Sequence, residues 1–161
     1  MSDFKAARKT LSHSQRLEGS KEQIFPLLCP TREYDWIKEW SCELIYSESG
    51  FAEPNCVFRT EGAVSRINGA PEEFWIVSRH EPPTRIEFVK FAAGLFVIKY
   101  EIDLAASGDA CVTAVWTQHF TALSEAGNQR IEELSQENYN TVIQALETKM
   151  NYYLRHDECM P

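Results

Sequence analysis

The chain has 161 residues, the size of one ordinary domain, and its hydrophobic content of 43% with 12% aromatics excludes intrinsic disorder. Sixteen Lys and Arg against twenty-four Asp and Glu leave a formal charge of −8. That balance disfavours nucleic acid and anionic membrane surfaces, which attract cations.

No apolar run reaches the roughly 18–20 residues of a membrane span, and the first residues, Met-Ser-Asp-Phe-Lys, carry no apolar leader. The five cysteines (29, 42, 56, 111 and 159) are odd in number and lack C-x-x-C spacing, which predicts reduced thiols and a cytoplasmic protein. There is no internal repeat or linker, so one domain over 1–161 with a core at about 5–155 is expected.

Residues 5–17 read as a first strand with Leu11 and Leu17 in one phase. Ser20-Lys21-Glu22-Gln23 is a capping box, followed by the apolar face Ile24, Phe25, Leu27 and Leu28 of a helix kept short by Pro26 and Pro30. Residues 31–40 predict a second short helix, on which Trp36 and Trp40 share a face, as core packing or as a lid over a cavity.

Strands are predicted at about 42–47, 55–61, 73–80, 84–91, 95–104 and 111–121, separated by Gly-, Pro- and Asn-bearing turns. Connections this short demand antiparallel pairing. Centring the last hairpin on Gly108 sets Tyr100 opposite Trp116, Ile98 opposite Gln118 and Phe96 opposite Phe120. Centring the preceding one on Ala93 sets Arg85 opposite Glu101 and Glu87 opposite Lys99 on the outer face, with Ile86 and Phe88 inside. Strand 73–80 is apolar in both phases.

After Gly127 the period becomes helical. Ile131, Asn138, Val142, Leu146, Met150 and Tyr153 predict one long helix from near Asn128 to near Arg155, about 40 Å at ~1.5 Å per residue.

Nucleotide-binding glycine loops, nucleophile elbows and zinc-protease motifs are absent, and the four histidines (13, 80, 119 and 156) show no ligand spacing. His80 reads as a strand-end surface residue, with a cavity-mouth acid/base as the alternative. Cys29, Cys42 and Cys56 lack paired-ligand spacing and read as small buried thiols, so no metal is expected.

The anomalies are polar residues on apolar faces: Gln118 between Trp116 and Phe120, Asn138 within the helix stripe, and Ser135 one turn earlier. A buried amide without a partner costs ~1–3 kcal/mol, so a hydrated or ligand-filled cavity explains them better than a solid core.

The order of strand, paired short helices, six antiparallel strands and long terminal helix resembles the helix-grip fold of the START/birch-pollen-allergen/polyketide-cyclase (SRPBCC) superfamily. The resemblance runs from about Lys9 to Leu154. It is carried by Gln23-Ile24-Phe25-Pro26-Leu27-Leu28-Cys29-Pro30, Arg32-Glu33-Tyr34-Asp35-Trp36 with Trp40, Cys42 to Gly50, Val57-Phe58, Trp75 to His80, Arg85 to Val89, and Thr121 to Asn128. These segments look like a bacterial START-like subgroup of unassigned function.

The resemblance implies an α+β fold: a curved antiparallel sheet of about seven strands around a long C-terminal helix, with two short helices after strand 1. It implies no cofactor and a mostly apolar cavity between sheet and helix. The residues expected to line it are Trp36, Trp40, Phe88, Ile98, Tyr100, Trp116, Gln118, Ser135, Asn138, Val142 and Leu146. The leading expectation is binding or transport of a small apolar or lipid-like molecule by a monomer or homodimer. A cyclase or dehydratase acting in the same cavity is the first alternative, ranked lower because no His–carboxylate pair lies there. A protein-interaction module of chaperone-regulator type is the second.

Overall fold

The computed structural model describes residues 3–62 and 67–161. Seven strands form one sheet in the order β1-β7-β6-β5-β4-β3-β2, and every neighbouring pair is antiparallel. They are β1 (Arg8–Leu17), β2 (Glu43–Tyr46), β3 (Val57–Glu61), β4 (Glu72–Glu81), β5 (Arg85–Ala92), β6 (Phe96–Ala106) and β7 (Val112–Ala122). Among the described residues three α-helices accompany them: α1 (Lys21–Ile24), α2 (Glu125–Glu133) and α3 (Gln136–His156). This is the helix-grip arrangement that the sequence predicts.

The capping box forms. Ser20 Oγ accepts the Gln23 amide N–H, and the Gln23 side chain accepts the Ser20 N–H at 2.9 Å. The helix predicted over 31–40 shrinks to one 3-10 turn, Glu33–Asp35. Trp36 and Trp40 therefore do not share a helix face. Each indole N–H instead donates to a backbone carbonyl at 2.8 Å, Trp36 to Leu27 and Trp40 to Pro30.

Both hairpin registers differ from expectation by two residues. Tyr100 faces Gln118, Ile102 faces Trp116, and Ile98 faces Phe120. Arg85 faces Asp103 and Glu87 faces Glu101. The cause lies in the loops. Gly94, with φ +73°, centres a three-residue loop closed by Leu95 N–H to Ala92 O, so that turn pivots on Gly94 rather than Ala93. The last loop spans 107–111 and is closed by Ser107 N–H to Cys111 O, which pivots it on Asp109. Moving a pivot by one residue shifts pairing by two, and a two-residue shift leaves every side chain on its face. The outer ion pairs survive as diagonals, with Arg85–Glu101 at 2.8 Å and Lys99–Glu87 at 3.6 Å.

In β4 the inward phase is Glu73, Trp75 and Val77, while Phe74 and Ile76 are exposed. A bulge at Ser78 then turns His80 toward the ring of Phe25, 5.4 Å between centroids, where burial lowers its pKa. His80 is thus half-buried packing rather than free surface.

The predicted single C-terminal helix is two helices. The chain extends at Leu134 and Ser135, and the Ser135 side chain caps α3 by accepting the Asn138 amide N–H at 3.1 Å. Tyr139, Ile143 and Met150 form the buried face of α3. The helix also covers the free edge of β1: Gln15 Nε2 donates to Ile143 O, and Asn151 both accepts from Glu18 N–H and donates to Arg16 O.

Candidate functional site

A cavity of about 240 Å³ lies between the inner faces of β3–β7, the 28–40 segment and α3. Its walls are aromatic. Phe58 stacks on Trp75 with centroids 5.0 Å apart, and Phe88, Tyr100 and Trp40 surround that pair. Inward-facing positions recur every second residue along each strand, so alternation supplies Phe58, Trp75, Phe88 and Tyr100, while Trp40 comes from the loop before β2. Among the described residues, Glu39, Thr141 and Ala145 are the exposed ones on the lining, which puts an opening between the 33–40 segment and α3. There Lys149 Nζ bridges to Glu39 at 2.7 Å.

Of the residues expected to line the cavity, the structure brings Trp40, Phe88, Tyr100 and Trp116 together at its walls. Gln118, Val142 and Leu146 also line it. Trp36 is fully buried beneath the short helical segment, and Ile98 lies deeper in the core; neither borders the cavity. Ser135 and Asn138 are exposed at the start of α3 and do not face it either. Their polarity serves the cap, and the stripe through them is displaced because a new helix begins there.

The strongest polar feature is one the sequence reading did not single out. Lys90 Nζ pairs with Glu73 Oε2 at 3.2 Å, with the two side chains only 4% and 1% exposed. The ammonium sits 4.2 Å from the centre of the Trp75 ring and 5.4 Å from that of Tyr100. Asn68 donates to the same carboxylate oxygen at 3.3 Å. The signal was present in the alternation: Lys90 shares the phase of Ile86 and Phe88, and Glu73 that of Trp75 and Val77.

Three further groups shape the interior. Burial pushes the Glu33 carboxyl well above the usual carboxylate range, against an opposing pull from Lys90. Burial likewise raises Tyr100 far above the usual phenol value, and the charges near it add to the rise. The Gln118 amide lies beside that phenol and draws its pKa part of the way back. Yet neither Gln118 Nε2 nor Oε1 completes a hydrogen bond, and Glu73 Oε1 and Trp116 Nε1 are also buried without one. Among the described residues no cluster of His, Cys, Asp and Glu could hold a metal ion, and all five cysteines are free. No helix among them is long and apolar enough to cross a membrane.

No family model matches the chain, and no curated protein matches its sequence. Solved structures do. Norcoclaurine synthase from Thalictrum flavum superposes with a TM-score of 0.68 at 9% identity, over 94% of this chain and 88% of that one. The major latex-like protein 151 of Panax ginseng gives 0.66 at 12% identity, over 91% and 97%. The DynU16 protein of the dynemicin biosynthetic locus gives 0.57 at 13% identity, over 92% of this chain; the chain spans about half that protein's length, 48%. At such identities the likeness is one of fold.

Proposed function

We propose, from the fold shared with these proteins, that the protein binds a small, mostly apolar molecule in the cavity between the sheet and α3. The observation that carries this reading is the cavity itself: aromatic walls around about 240 Å³, with a few buried polar groups at its floor. It exceeds the ~150 Å³ of an engineered apolar cavity that takes up benzene. The aromatic walls supply affinity at roughly 25 cal/mol per Å² of apolar area buried. Norcoclaurine synthase from Thalictrum flavum has also been solved in complex with dopamine and hydroxybenzaldehyde, so one protein of this fold takes small aromatic guests. We take the chain to act as a single cytoplasmic domain, as monomer or homodimer, without nucleic acid.

The test fills the mouth. Val142→Trp should abolish uptake of an apolar fluorescent probe while circular dichroism stays native, and native mass spectrometry of protein from its own source should find a small molecule bound to the wild type. Unchanged probe uptake in Val142→Trp refutes the cavity as the binding site.

A second reading, enzymatic turnover of the guest, is favoured by the Lys90–Glu73 pair. It sets an amine beside a carboxylate whose second oxygen is unpartnered, the materials of acid–base chemistry. Turnover of the co-purified molecule that disappears in Lys90→Met would select it.

A further inference from the structure

The cavity floor holds a buried side-chain amide that lies beside the Tyr100 hydroxyl without completing a hydrogen bond. Gln118 is fully buried on β7, borders the cavity, and leaves both its donor and its acceptor unpartnered. Native proteins rarely leave such groups unsatisfied. A guest that supplies both a donor and an acceptor satisfies the amide in both directions, as a carboxamide or a hydroxyl does.

The charges around the amide restrict the guest further. Lys90 is a buried cation on the cavity lining, and Glu73 neutralises it at 3.2 Å. Its ammonium already occupies the faces of Trp75 and Tyr100. A cationic guest would meet a like charge and find those faces taken. An anionic guest would meet Glu73, whose Oε1 is unpartnered. The walls are flat rings, and the space is larger than one benzene needs.

The geometry points to an uncharged, planar guest of more than one ring whose polar end both donates and accepts a hydrogen bond, read by the Gln118 amide. This rests on the binding function proposed above and specifies the chemistry of its ligand.

Four probes of one shape test it on the full chain by calorimetry at neutral pH: naphthalene, 2-naphthamide, 2-naphthoate and 2-naphthylmethylammonium. The amide should bind about tenfold or more tighter than each of the other three. In Gln118→Leu, and independently in Gln118→Met, that advantage should vanish while naphthalene binds at least as tightly as before. Naphthoate binding tightest would make this an anion site and overturn the inference. Equal binding of all four probes, or an amide advantage that survives both substitutions, would overturn it and leave the binding function standing. Binding of none would remove both. Failure of both variants to fold would show Gln118 to be a structural hydrogen-bonding residue, which also overturns it.

Discussion

Removing the Lys90 charge should expose how much the core depends on one ion pair. In Lys90→Met the stem is replaced by a side chain of similar length, but Glu73, 1% exposed, loses the cation 3.2 Å away. Among the described residues, the Asn68 amide, at 3.3 Å, still bonds to its carboxylate. Breaking a buried pair from one side costs ~3–5 kcal/mol, because a buried charge is left uncompensated. For a domain of this length each kcal/mol moves the melting temperature by ~2–4 °C, so a fall of about 6–20 °C is expected. Glu73→Gln should cost less, since the ammonium keeps the face of Trp75 at 4.2 Å. The double variant Lys90→Met/Glu73→Gln should recover most of the loss, as uncharged replacements of buried pairs are often nearly neutral. Urea unfolding followed by circular dichroism measures all three, and the double-mutant cycle gives the coupling directly. If Lys90→Met costs under ~1 kcal/mol and the cycle shows no coupling, the pair behaves like an exposed surface bridge and its burial is misjudged.

Gly127→Ala should be far more damaging than an ordinary glycine substitution, because a Cβ there would sit 1.9 Å from Leu95 O; thermal melts should show several kcal/mol lost, and a loss below ~1 kcal/mol would refute the close approach. Ser135→Ala should cost ~1 kcal/mol through loss of the α3 cap, whereas Asn138→Leu at an exposed position should leave probe uptake unchanged; reduced uptake in Asn138→Leu would return that residue to the cavity. The Glu33 carboxyl is raised by burial, so the stability it contributes is present in full below the usual carboxylate pKa of ~4.3 and is lost as pH rises through the raised value. Urea midpoints across this range should fall with pH in the wild type and stay flatter in Glu33→Gln, and equal slopes would refute the shift.

The sequence by itself determined which face of β5, β6 and β7 looks inward and which elements succeed one another, whereas β4, apolar in both phases, shows its inward face only in the folded sheet. Two-residue alternation and the change to helical period after Gly127 are local properties of the chain, and short turns leave only antiparallel pairing. It did not determine register. Pairings two residues apart preserve the same alternation, and the choice between them rested on left-handed residues such as Gly94 in the loops. Nor did periodicity reveal that the terminal helix begins anew at Ser135, since the sequence keeps a helical spacing from Ile131 to Asn138 although the buried face of α3 runs through Tyr139 and Ile143. The walls at Tyr100, Trp116 and Phe88, with Gln118 at the floor, followed from strand phase. The meeting of Lys90 with Glu73 required tertiary structure. Each charge on an apolar face is unfavourable alone, and only the pairing of β4 with β5 brings each its counter-charge.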